Sequence, residues 1–151
     1  MYEKSAGCVI FLEKGKKRFY LLLHKEASEQ YKESWSFPKG LVEKNEEDKD
    51  TARRETKEEA GLTDLEFFPG FRERIHYMYM KDGERISKDV IYFLAKTSQF
   101  QAKVSEEHSG YEWLPYDNAM GRLTFKSDKD VLVKAELYLK KTAKESLSKF
   151  F

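Results

Sequence analysis

The segment from Gly40 to Leu62, GLVEKNEEDKDTARRETKEEAGL, constrains this chain more than any other. Both of its ends and one of its faces read as a helix over residues 46–60. Asn45 is a favourable N-cap residue, and Glu46, Glu47 and Asp48 place acids at the positive end of the helix dipole. Gly61 followed by Leu62 is a left-handed stop with its apolar contact. Ala52, Thr56 and Ala60 recur every four residues and make a narrow small-residue face, suited to close packing on a sheet. Glu55, Glu58 and Glu59, at i, i+3 and i+4, project within an arc of about 100°. Like charges one turn apart cost about 0.2–0.5 kcal/mol in an isolated helix. Such a run is either a solvated acidic face or a seat for a hard divalent cation. Magnesium takes oxygen ligands and keeps several waters, so carboxylates plus substrate phosphates suffice.

The flanking segments read mostly as strands. Residues 5–13 and 18–24 are apolar runs about a Lys/Gly turn at Lys14–Lys17, two paired and buried strands. Residues 65–80 and 85–96 form two more, joined at Asp82-Gly83, a strong hairpin signal. Tyr111–Leu114 is a further strand. Tyr77 alternates with Ile75 and Tyr79 along its strand, His24 and His76 are strand residues, and Met78 and Met80 are expected in the core or lining a pocket. From Asp128 to Phe150, Leu132, Ala135, Leu139, Ala143, Leu147 and Phe150 fall on one helical stripe. Ser127 is its N-cap and Asp130 the capping-box partner. A mixed sheet with one helix in mid-sequence and one at the end is an α+β fold, a helix–sheet–helix sandwich. At 151 residues, a single domain over 1–151 is expected.

Composition narrows the function classes. The 28 Lys+Arg and 27 Asp+Glu leave a net charge of +1, without the basic excess of a dedicated nucleic-acid binder. Aromatic residues at 15% argue against disorder. The lone cysteine, Cys8, can form neither an intrachain disulfide nor a zinc site, and it reads as a reduced core residue of a cytoplasmic protein. The N-terminus has no apolar leader and no stretch offers 18 apolar residues, so secretion and membrane spanning are not expected.

Gly40, Glu46, Arg54-Glu55, Glu58-Glu59 and Ala60-Gly61-Leu62, at their spacings, resemble the Nudix box. Thr56 stands where that box usually has an aliphatic residue. The resemblance implies the Nudix fold and hydrolysis of a nucleoside diphosphate linked to another moiety. It implies a magnesium cofactor, with manganese as a substitute, held by Glu58 and Glu59. Glu55 becomes a further ligand or the group that orients and deprotonates water. Arg54 would hold Glu55 by a charge-assisted hydrogen bond, and Glu46 would complete the acidic cluster through water. Gly40 and Gly61 would allow tight turns into and out of the helix.

Further segments are similar to the asymmetric diadenosine tetraphosphate hydrolase group of that family. These are Trp35–Gly40 (WSFPKG), Arg54–Gly61, Gly70-Phe71 with Tyr77 downstream, Lys88–Phe93 (KDVIYF), and Glu107-His108 ahead of Tyr111–Leu114. That likeness implies an adenine held between Tyr77 and Phe125, with Lys39, beside Gly40, and Lys88 on the phosphates. Glu107 becomes a distal carboxylate serving the metal and an alternative to Glu55 as general base, and His108 a base, a phosphate donor or a loop residue. The sequence departs from its relatives at Leu41, usually histidine, and at Lys44-Asn45, usually Pro-Gly. The substrate implied is a small-molecule nucleotide, diadenosine tetraphosphate giving ATP and AMP, cleaved by a monomer. The alternatives are another Nudix specificity, with RNA entering only as a capped or triphosphorylated 5′ end, or a silent nucleotide-binding module.

Overall fold

Strand β1 (Tyr2–Lys14) is apolar on both of its faces, and each face feeds a different core. The computed structural model describes residues 1–29 and 31–148. After β1 come β2 (Lys17–Lys25), β3 (Ser34–Ser36), β4 (Lys39–Leu41), α1 (Asp48–Ala60), β5 (Glu66–Lys81), β6 (Glu84–Lys96), β7 (Gly110–Leu114), α2 (Tyr116–Arg122) and α3 (Lys126–Ser148). The sheet runs β3-β2-β1-β6-β5, with β4 paired to β1 and β7 to β2. β1 and β6 are parallel, with Cys8 opposite Phe93, and the other pairs are antiparallel, so the sheet is mixed.

Val9, Phe11, Tyr20, Leu22, Tyr92 and Leu94 face α2 and α3, where Ala119, Leu132, Ala135 and Leu139 complete one core. Ala6, Cys8, Ile10, Leu21, Leu23 and Ile91 face α1, where Ala52, Ala60 and then Leu62 complete the other. A sheet covered on both faces explains why these strands read as continuous apolar runs instead of alternating ones. The small residues of α1 do the work expected of them, since Ala52, Thr56 and Ala60 are all fully buried. Cys8 is a buried free thiol, its pKa pushed up to about 12 by burial.

One close approach sets the position of the loop ahead of α1. A β-carbon on Gly7 would lie 2.2 Å from the Pro38 carbonyl oxygen, and Cys8 N–H donates to that same oxygen at 3.1 Å. Pro38, Lys39 and Gly40 are thereby pinned to the centre of the sheet.

Several boundaries differ from the sequence reading. α1 begins at Asp48 with Glu47 as its N-cap, while Asn45 adopts a left-handed φ of 67° in the preceding turn. The reason is Glu46, whose carboxylate is engaged by Arg54 and Thr51 and lies outside the helix. α3 begins at Lys126, Lys129 N–H donates to the Phe125 carbonyl, and Asp130 pairs with Lys126, so Ser127 and Asp130 make no capping box. Ala143 is exposed, and the side chain of Leu147 and all of Phe150 lie outside the described residues. Pro69-Gly70 fall in a register shift between Phe67 and Arg72, and Met78 and Met80 are exposed and lie outside the core. The short helix α2 carries no periodicity long enough to be read in advance. Among the described residues no helix is long and apolar enough to cross a membrane.

Candidate active site

Arg54 organises the acidic end of α1. Its Nε and one terminal nitrogen grip the two oxygens of Glu46 at 2.8 and 2.9 Å, a bidentate pair. The same terminal nitrogen reaches the Leu41 carbonyl at 3.1 Å, while the other donates to Glu55 Oε1 at 2.8 Å and leans on Glu58 at 3.3 Å. Glu46 also accepts from Thr51 Oγ1 and from the Glu43 main chain. Those bonds hold its pKa down at about 2, Arg54 contributing most. Both of its oxygens accept from Arg54, so Glu46 holds Arg54 in place.

Two carboxylates lie against the pinned loop. Glu55 rests on Gly40: a β-carbon there would come within 2.0 Å of Glu55 Cδ. Glu59 is buried, its Oε1 accepts the Lys39 main-chain N–H at 2.8 Å, and its Oε2 lies 3.4 Å from His108 Nε2. Burial above all, then Glu55 and Glu107, raise the Glu59 pKa to about 8, against the pull of the Lys39 N–H. Glu55 is raised as well, again chiefly by burial, with Glu58 and Glu107 adding. Glu107 itself is exposed in the loop before β7. His108, on that loop, is shifted down by burial and by Lys25.

On the other side of Lys39 lies an aromatic shelf. The Lys39 ammonium stands 6.0 Å from the centre of the Tyr77 ring, and Tyr77 is the register partner of Lys88 across β5 and β6. The Lys88 pKa is lowered, by burial first and by Lys39 second. Phe125 is exposed at the head of α3. Its neighbour Thr124 is tied to Trp35 by two hydrogen bonds, which fixes the start of α3 against β3, just ahead of Lys39 in the chain.

The sequence reading missed Asp128. It is fully buried, accepts the Tyr92 hydroxyl on Oδ1 at 3.1 Å, and its Oδ2 has no hydrogen-bond partner among the described residues. Burial raises its pKa, with Lys39 opposing. An acid in the first turn of a helix ordinarily serves the dipole, so only burial sets this one apart.

The donor set fits a hard divalent ion. Buried Glu59 and half-buried Glu55, both raised chiefly by burial with Glu107 adding, offer carboxylate oxygens where magnesium would bind. Among the described residues no three carboxylates or imidazoles converge on a single point. Glu58 is exposed and turned toward Arg54.

Comparison with known proteins shows the family. A family model described as the NUDIX domain matches residues 1–135. The bis(5′-nucleosyl)-tetraphosphatase [asymmetrical] of Sus scrofa is 39% identical over 109 residues, which cover 70% of this chain and 71% of that protein. The Caenorhabditis elegans protein of the same name is 31% identical over 121 residues, 80% of this chain and 84% of its own. The crystal structure of a C. elegans Ap4A hydrolase binary complex superposes with a TM-score of 0.78 at 30% identity, covering 91% of this chain and 98% of that one. The fold, the box residues on α1 and the extent of these matches together establish that the chain belongs to the NUDIX hydrolase family.

Proposed function

We propose that the chain hydrolyses dinucleoside polyphosphates in a magnesium-dependent reaction, diadenosine tetraphosphate and water giving ATP and AMP. The observation that carries this reading is the position of Lys39. Its main-chain N–H binds the buried carboxylate of Glu59, and its ammonium lies 6.0 Å from the Tyr77 ring. One residue thus joins the acidic site to an aromatic surface suited to a base. Stacking on such a ring contributes about 1–3 kcal/mol per base.

The reading gives each of these residues a role. Glu59 and Glu55, with Glu58 and Glu107, would hold magnesium. When bound, the ion neutralises phosphate oxygens and lowers the pKa of water. Arg54 keeps the Glu55 carboxylate aimed, and Glu55 or Glu107 takes the proton from the attacking water. Lys39 and Lys88 bear on the negative phosphate chain, Tyr77 and Phe125 enclose the adenine, and His108 donates to a phosphate. The names borne by the relatives support the same substrate class, and the absence of a basic excess weighs against an RNA backbone.

The test is incubation of the purified chain with diadenosine tetraphosphate and magnesium, followed by chromatography. Equal amounts of ATP and AMP are expected. Two ADP, or no turnover, would overturn the reading.

A further inference from the structure

The Glu59 carboxylate has two sides. Oε1 faces Lys39, which leads to Tyr77, and Oε2 faces His108. His108 in turn lines a cavity of about 270 Å³ between the loop after β2 and the loop before β7, together with Lys25, Glu26, Ala27, Glu106 and the Glu107 of the acidic site. The path from the aromatic shelf therefore continues through the acidic site into a second concavity. We propose that this cavity receives the ribose of the substrate's second nucleotide, the part released as the monophosphate.

The inference rests on the asymmetric cleavage proposed above. If the adenine at Tyr77 and Phe125 carries three phosphates away from the broken anhydride, the other ribose stands a single phosphate beyond the carboxylates. The cavity behind His108 is what adjoins them there. Its chemistry suits that fragment. Lys25 supplies a charged donor for a ribose oxygen, its ammonium 4.1 Å from the centre of the Tyr31 ring. Glu26 and Glu106 can accept hydrogen bonds from a ribose diol. The volume falls just short of the roughly 300–1,000 Å³ of pockets that enclose whole ligands. The lining offers no aromatic face to grip a base, so this end of the substrate is read with little base selectivity.

The test compares diadenosine tetraphosphate with adenosine 5′-tetraphosphate, which has the same phosphate chain and no second nucleoside. Two variants probe the cavity. Ala27→Trp fills it from an exposed position, and Lys25→Ala removes its cation; thermal melting verifies that each folds. Losing a charged hydrogen-bond partner is worth about tenfold, so the ratio of kcat/KM for the dinucleotide to that for the mononucleotide should fall by about tenfold in Lys25→Ala and at least as far in Ala27→Trp, which denies the ribose its space. Replacing one adenine by guanine should leave KM within about twofold, provided the other adenine remains to stack. An unchanged ratio in folded variants, or an equal loss on both substrates, overturns the cavity assignment while leaving the catalytic reading intact. A wild-type chain that cleaves neither substrate overturns both.

Discussion

The carboxylate of Glu55 rests on the backbone of Gly40, so close that a β-carbon there would lie 2.0 Å from Glu55 Cδ and 2.2 Å from its Oε1. No side chain fits between β4 and α1 at this point. Gly40→Ala should push Glu55 out of register with Glu59. Displacement of a catalytic group by about 1 Å can cost 10²-fold, and a drop in kcat of about that size is expected with the fold retained. The double variant Gly40→Ala, Glu55→Gln should be scarcely slower than Glu55→Gln alone, because both changes strike one group. Additive losses would show that Gly40 acts elsewhere.

Glu59→Gln separates metal binding from folding. A glutamine keeps an acceptor for the Lys39 N–H and removes a charge that burial disfavours. The variant should melt at or above the wild-type temperature without metal, while its manganese affinity, read by electron paramagnetic resonance, falls by about 10-fold or more. Wild-type affinity in the variant would remove Glu59 from the ligand set.

Arg54→Lys tests the clamp. A lysine cannot reproduce the bidentate hold on Glu46 together with the bonds to Leu41 and Glu55. Loss of hydrogen bonds to charged groups costs about 1.5–3 kcal/mol each at most, so denaturant melts should show a clear loss of stability. Turnover should fall through kcat, with KM little changed. A variant defective in KM alone would mean that Arg54 touches substrate.

Tyr77 should act through its ring. Tyr77→Phe keeps the face and should stay near wild type. Tyr77→Ala should weaken substrate binding by about 1–3 kcal/mol, read as KM. If the two variants behave alike, the hydroxyl or simple packing matters instead.

Stability should fall in acid through Asp89. The His76 ring, the Tyr2 hydroxyl and Arg74 surround its carboxylate at 2.7, 2.7 and 2.9 Å and hold its pKa well below the ordinary 3.8. A carboxylate whose pKa is depressed on folding stabilises the protein above its unfolded pKa, and that contribution is lost as pH falls through the folded value. The wild-type melting temperature should therefore drop more steeply below pH 3.8 than that of Asp89→Asn. Parallel curves for the two proteins would refute the linkage.

Much of this was legible in one dimension. Local rules governed the helical stripe of α1 and its glycine stop, the hairpin at Asp82-Gly83 and the apolar strands, because each depends on neighbours within a few residues. Helical spacing put Glu55, Glu58 and Glu59 on one arc, and the resemblance to the box added Arg54. What needed the tertiary structure was every relation across the sheet. Glu46 left the helix and became the Arg54 clamp, displacing the N-cap from Asn45 to Glu47. Lys39 met Glu59 because β4 is pinned to β1 at Gly7. Asp128 lost its solvent beneath Tyr92, and His108 turned inward to Glu59. Charge, burial and pKa depend on what surrounds a group in space, and folding brings those surroundings from residues far apart in the chain.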